Sequence, residues 1–211
     1  YPELEAELSA FVPQIRELAP MRWVTIDEAC NWKVTVENYS ECYHCRLNHK
    51  TFVEGVVDPN TYNILPQGHC LRHTTRAVNL ERLSYKIDAQ ANPFATSYSA
   101  WFLWPSFSFQ VYPGNVLNTY QWLPKAVDQT KAVRGWYSLG GEDSTPLNVL
   151  AEQDLETTVA EDVALVESVQ RGLRSLGYRP GPLILDVDAG VNSEHSIKAL
   201  HDWRTQDLER A

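Results

Sequence analysis

The sequence predicts an α+β fold, an antiparallel sheet with helices packed against it, and two observations carry that prediction. Apolar residues recur at helical spacing before Asp58 and again after Pro146, whereas residues 62–139 are a succession of short β-rich runs separated by Pro, Gly and Asn turns. Strands gathered together and joined by tight turns, instead of alternating with helices, argue against a parallel α/β arrangement.

Taken in order, residues 2–18 place Leu4, Leu8, Phe11 and Ile15 three and four apart among acidic residues. This predicts an amphipathic surface helix, split or kinked at Pro13 and ending near Pro20. Residues 21–27 read as a short strand. Asn31 is placed to cap a helix that runs through Trp32, Val36 and Tyr39 and into the Cys/His-rich segment beyond, until Asp58-Pro59-Asn60 breaks it. Strands are expected over residues 62–65, 70–78, 83–87, across the aromatic block 98–112, and over 117–123 and 132–139, with turns at Pro113-Gly114 and Gly140-Gly141. Helical spacing returns over residues 146–176, with Val149, Leu150, Leu155, Val159, Val163, Val166, Val169 and Leu173 as the apolar stripe and Gly177 as the stop. Residues 180–182 form a loop, and Asn192 or Ser193 caps a last helix through Ile197, Leu200 and Trp203.

At 211 residues, 44% of them hydrophobic, the chain can bury one sizeable core without disulfides or metal, so residues 1–211 are read as a single domain. A formal net charge of -9 without a cluster of Lys or Arg argues against nucleic acid or an anionic membrane as a partner. No apolar run approaches the roughly 20 residues of a membrane span, and no basic-then-apolar leader precedes the first helix. Four cysteines without secretory cues suggest a reducing, cytoplasmic setting. A first residue Tyr1 in place of Met reads as a processed chain or a piece of a longer one.

The chemistry concentrates in residues 37–49, where Glu37, Glu41, Cys42, His44, Cys45 and His49 crowd together. Three readings compete: a two-histidine iron site completed by a distant carboxylate, a Cys/His zinc or iron-sulfur site, and a redox Cys42-x-x-Cys45 pair. Residues three apart on a helix lie about 60° apart around the axis and residues five apart about 140°. Glu41 and His44 would therefore share a helical face while His44 and His49 would not, unless the helix ends or bulges near Arg46 to Asn48. Cys42-x-His44 with Cys70-x-x-His73 imitates the ligand order of a Rieske cluster, but lacks the surrounding glycines. Zinc held by Cys42, Cys45, Cys70 and His73 would give a non-catalytic, metal-stabilised binding domain.

Further motifs narrow the choice. Asn31-Trp32-Lys33, Glu37-Asn38-Tyr39 and Glu41-x-x-His44-x4-His49, with Glu161-Asp162 and Val166-Glu167-Ser168-Val169-Gln170-Arg171-Gly172-Leu173 later and Ser193-Glu194-His195 near the end, resemble the catalytic domain of Rieske-type non-haem iron oxygenase large subunits. The resemblance covers essentially the whole chain. It implies a helix-grip (START-like) fold and a mononuclear Fe(2+) held by His44, His49 and Asp162, with Glu41 and Asn38 as catalytic residues. Glu41 matches the acid that links the iron to a [2Fe-2S] Rieske cluster of the neighbouring subunit in a homotrimer. Glu at that position, where most relatives have Asp, resembles the branch acting on quaternary ammonium compounds such as carnitine, choline and betaines. The implied reaction is an NAD(P)H-dependent monooxygenation, fed by a separate flavin/iron-sulfur reductase, that ends in C-N cleavage or N-demethylation. An aromatic-ring oxygenase of the same fold is the alternative within the class.

Aromatic faces suit a trimethylammonium group, and Trp104, Phe107 and Tyr43 are the candidates to line its pocket, although strand alternation turns only half of such residues inward. The amino-terminal Rieske domain of the family is absent from this chain, so no sustained turnover is expected from it alone.

Overall fold

Seven strands form one antiparallel sheet at the centre of the computed structural model, which describes residues 1–77 and 79–210. In chain order they are β1 Leu18–Glu28, β2 Asn63–Gln67, β3 Cys70–Arg76, β4 Ser97–Leu103, β5 Phe107–Tyr112, β6 Val116–Ala126 and β7 Gln129–Leu139. Their order in space is β1-β7-β6-β5-β4-β3-β2, a meander in which only β1 is displaced, to the edge beside β7. With helices on both flanks of the strand run, this is the α+β, helix-grip class expected from the sequence. Among the described residues no helix is long and apolar enough to cross a membrane.

Alternation along the strands separates two cores. Tyr98, Ala100, Phe102, Tyr112, Tyr120, Trp122 and Ala132 pack in one cluster, under the helices that carry the site. Trp101, Val111 and Leu117 pack in the other, with Leu8 and Phe11 of α1, Leu4–Phe11. Registry fixes which side chains sit side by side on the first face: Ala100, Gln110, Asn118 and Trp136 in one row, Phe102, Ser108, Tyr120 and Arg134 in the next.

Three expectations need correction. The first helix stops at Phe11, and after a 3-10 turn at Ile15–Glu17 the chain is already strand from Leu18, through Pro20. The register shift between Pro20 and Arg22 lies on the sheet edge, where a missing N–H breaks little of the ladder. Residues 83–87 are not a strand, because β3 pairs directly with β4 and leaves no place between them; Tyr85 turns inward and donates to the Pro113 carbonyl at 2.7 Å. The aromatic block is two strands, divided after Leu103. Val78, the end of the strand expected over 70–78, lies outside the described residues.

The helical run after Pro146 is α4, Thr145–Asp154, a π-helical turn Leu155–Val159, and α5, Ala160–Leu173. Leu150, Val159 and Val166 of its expected stripe are buried, but Val149, Val169 and Leu173 are exposed. The wider π turn rotates the following face relative to a regular helix. It follows Asp154, whose carboxylate lies 2.6 Å from the Arg134 guanidinium, both side chains being 3% exposed, and accepts from the Tyr112 hydroxyl at 3.0 Å. The last helix, α6 His195–Arg210, begins where Ser193 Oγ accepts from the His195 N–H at 3.4 Å.

Removing one partner of a buried ion pair strands the other charge, so Asp154→Ala should lower unfolding free energy by about 3–5 kcal/mol in a urea titration. A loss under about 1 kcal/mol would show that Arg134 finds water instead. Glu28 offers a second test. Burial pushes its carboxyl up to about 7, against smaller opposing hydrogen bonds from Thr35 and Cys30. The folded state therefore keeps a proton that the unfolded chain releases, and stability falls as pH rises from the ordinary carboxylate range through about 7. Glu28→Gln should be more stable than wild type by up to about 3 kcal/mol near pH 8, with the difference gone below about pH 4; the same difference at both would contradict this.

Candidate metal centre

Helix α2, Trp32–Tyr39, starts as expected: Asn31 Oδ1 accepts from the Lys33 N–H at 3.1 Å. It does not carry the Cys/His segment, because it closes at Ser40. The chain then turns through residues 41–44, held by Glu41 Oε2, which accepts from the backbone N–H of Tyr43 and, at 3.4 Å, of His44. A single helical turn follows, α3 Cys45–Asn48, with His44 just before it and His49 just after, the latter at φ -111° and ψ 69°. Placing the histidines at the two ends of one turn removes the angular conflict of their five-residue separation. Their rings meet at 83°, with centroids 4.9 Å apart.

Asp162 comes from α5, which packs on α2, and Asn38 Nδ2 donates to its Oδ1 at 2.7 Å. Three acceptor-capable atoms now converge. His44 Nε2 and His49 Nε2 are 3.0 Å apart, and Asp162 Oδ1 lies 3.1 Å from His49 Nε2 and 3.5 Å from His44 Nε2. The other ring nitrogens are engaged: His49 Nδ1 donates to Glu161 Oε2 at 2.8 Å and His44 Nδ1 to Glu41 Oε1. A carboxylate only accepts, so in the neutral imidazoles both protons sit on Nδ1 and both Nε2 lone pairs face inward, toward an anionic oxygen.

Such a cluster calls for a cation at its centre. Two donors each about 2.1 Å from an ion and at right angles lie about 3.0 Å apart, the separation seen here, and two histidines with one carboxylate on one side of an ion are the facial triad of non-haem iron. Proton affinities carry the same signature. Burial disfavours a charged His44, yet Asp162 and Glu41 outweigh it and raise the imidazole to about 10. Burial likewise opposes, and Asp162 and Glu161 raise, His49. Burial alone would raise Asp162, but the two imidazoles hold its carboxyl well below the usual range. The residues fit a divalent metal with their outer hydrogen bonds already in place.

The cysteines do not compete for that position. Cys45 Sγ lies within 4.8 Å of the histidine nitrogens, but Cys42 and Cys45 are joined in a disulfide, which supplies no thiolate. Cys70 and His73, three apart on β3, point to opposite faces. Cys70 packs with Trp101 in the second core, whereas His73 accepts from, or donates to, the Tyr62 hydroxyl at 3.0 Å.

A cavity of about 470 Å³, its mouth included, adjoins the cluster, and Tyr39, Phe52, Tyr98, Tyr112, Tyr120 and Gln110 are among its walls. Burial keeps the Tyr39 phenol above its ordinary value, up to about 12, and pushes the phenols of Tyr98, Tyr112 and Tyr120 up likewise, so they face the cavity as neutral rings. None of the three aromatic residues nominated from sequence lines it. Phe107 shares the strand face of Phe109 and Val111, opposite Gln110 and Tyr112. Trp104 packs against Trp32 and Trp203 and donates to Asp207 at 2.7 Å. Tyr43 is 48% exposed. Glu161, which orients His49, received no role from sequence; its position beside Asp162 was the available signal.

A family model described as "Ring hydroxylating alpha subunit (catalytic domain)" matches residues 15–209, and the chain belongs to that family. It is 31% identical over 198 residues to the carnitine monooxygenase oxygenase subunit of Acinetobacter pittii, covering 93% of this chain and 52% of that protein. It is 26% identical over 170 residues to the chloroplastic choline monooxygenase of Atriplex hortensis, covering 78% and 36%. The solved structure of the quaternary ammonium Rieske monooxygenase CntA with its substrate L-carnitine superposes with a TM-score of 0.81 at 27% identity, covering 97% of this chain and 53% of that one. The chain thus spans about half the length of these carnitine-oxidising relatives.

Protein loaded anaerobically with ferrous iron should retain it after desalting, whereas His49→Ala and Asp162→Ala should lose at least about 10-fold in iron affinity and Cys70→Ala nothing. An emptied Cys70→Ala variant beside a fully loaded Asp162→Ala would overturn the ligand assignment.

Proposed function

We propose that this chain is the catalytic domain of a Rieske-type monooxygenase that hydroxylates a quaternary ammonium compound at a carbon next to nitrogen, so that the C-N bond breaks. The observation that carries the proposal is the convergence of His44 Nε2, His49 Nε2 and Asp162 Oδ1 at 3.0–3.5 Å beside a cavity walled by tyrosines. Bound at these atoms, a mononuclear iron supplies oxygen activation through the positions that a facial triad leaves open.

The chain's own residues do the rest. Glu161 and Glu41 fix the ring orientation of His49 and His44, and Asn38 holds Asp162 by its Oδ1. The rings of Tyr39, Tyr98 and Tyr112 attract a trimethylammonium group without forming a hydrogen bond that it could not answer, whereas the Tyr120 ring is already engaged by the Arg134 guanidinium and Trp122. Arg134 does not repel such a cation, because Asp154 neutralises it from behind. Likeness to carnitine and choline monooxygenases supports the same substrate class.

Glu41 has a second exposure. Besides bonding His44 it lines, with Asn38 and Glu37, a surface groove between α2, α5 and the loop around Pro180. That position supports its role as the acid linking this site to the Rieske cluster of a neighbouring subunit in a homotrimer. A flavin/iron-sulfur reductase drawing on NAD(P)H would then feed the cluster. In the trimer that includes the amino-terminal Rieske domain, Glu41→Gln, whose amide oxygen can still accept from His44 Nδ1, should keep its iron and lose turnover coupled to substrate by about 100-fold. Undiminished coupled turnover would exclude the bridging role, and preference for aromatic acids over betaines by the intact enzyme would overturn the substrate class.

A further inference from the structure

The Cys42–Cys45 disulfide has no part in the chemistry described so far, yet it is built into the metal centre. His44 lies inside the loop that it closes. Cys45 opens α3, accepts at its carbonyl from the His49 N–H at 2.9 Å, and holds its Sγ within 4.8 Å of a ring nitrogen of each histidine. Both cysteines pack in the cavity-side core, 2% and 4% exposed, and both are among the walls of the metal cavity. Between and beyond them the chain reaches the surface, where Tyr43 and Leu47 are exposed, so a thiol reagent meets this segment without the sheet having to open.

A crosslink stabilises a fold chiefly by closing a long loop of the unfolded chain, and one between residues three apart closes very little. A chain of 211 residues with its own core does not depend on it to fold. What the disulfide constrains is local. Without it the turn would be held by the Cys45 N–H, which donates to the Cys42 carbonyl at 3.1 Å, and by the bonds from the Tyr43 and His44 N–H groups to Glu41. These are few bonds for a segment that must aim two imidazoles at one point.

We infer that Cys42–Cys45 is a redox modification site that sets the affinity of the metal centre: the disulfide form holds His44 and His49 ready for the ion, and the dithiol form binds it more weakly. A ligand set ordered in advance loses less entropy on binding. Reduction consumes one dithiol, which attacks a sulfur, passes through a mixed disulfide and leaves as its own disulfide, while two electrons and two protons remain on the chain as the Cys42 and Cys45 thiols. Hydrogen peroxide reverses it: one thiol becomes a sulfenic acid with release of water, and the second thiol displaces a further water to restore the bond. By reciprocity, bound metal should make the disulfide harder to reduce by the same factor. This rests on the ligand assignment above and is independent of the substrate class.

The test is equilibrium metal binding without oxygen, on untreated protein and on protein reduced with dithiothreitol and desalted, with thiols counted after denaturation. Manganese(II) is the probe, because it prefers nitrogen and oxygen donors to thiolate. Untreated protein should show two thiols and reduced protein four. The disulfide form should bind manganese about tenfold tighter, and the double variant Cys42→Ser/Cys45→Ser should match the reduced form and ignore dithiothreitol. Equal affinities in the two states, tighter binding after reduction, or four thiols in untreated protein would overturn the inference. Failure of both states to bind manganese, with the thiol counts as expected, would overturn the ligand assignment and the inference with it. Should the double variant not fold, the two states of wild type decide.

Discussion

Three inward-facing acceptors held within 3.5 Å of one another are the constraint on which the rest of the structure depends. Left alone, two imidazole lone pairs and a carboxylate would move apart; here each is pinned from outside. Glu41 and Glu161 take the far nitrogens, and Asn38 takes the carboxylate oxygen from the side. The backbone does its part by breaking: α2 ends at Ser40, one helical turn separates the histidines, and π-helical segments follow at Phe52–Val56 and Leu155–Val159. Each break occurs beside the cavity, as expected where side-chain direction matters more than helical regularity.

The sheet supplies a rigid wall for that constellation. Its cavity face combines neutral phenols with a buried Arg134–Asp154 pair, while its reverse face is sealed by α1. Among the described side chains lining the cavity, the one guanidinium, that of Arg134, is charge-balanced by Asp154.

Much of this was legible beforehand, and for identifiable reasons. Asn31 announces α2 because a cap side chain is local chemistry, and the meander is visible because tight turns and β-rich runs are local too. The need for a chain break between His44 and His49 follows from helix geometry alone, and the break lies where α3 ends. What escaped was non-local. Residues 83–87 have strand-like composition but no free edge to pair with. Trp104 and Phe107 are aromatic near the right strands, yet alternation and the turn after β4 send them elsewhere; Gln110 and Tyr112, at the intervening positions, face the cavity. Glu161 could be recognised only once α5 had been laid against the histidines.

The most direct measurement of the central claim is the iron K-edge X-ray absorption spectrum of the ferrous protein. Coordination by His44, His49 and Asp162 predicts a shell of nitrogen and oxygen near 2.0–2.2 Å with imidazole scattering behind it, an oxygen contribution that weakens in Asp162→Ala, and no sulfur. A sulfur shell near 2.3 Å, or a spectrum untouched by Asp162→Ala, would contradict it.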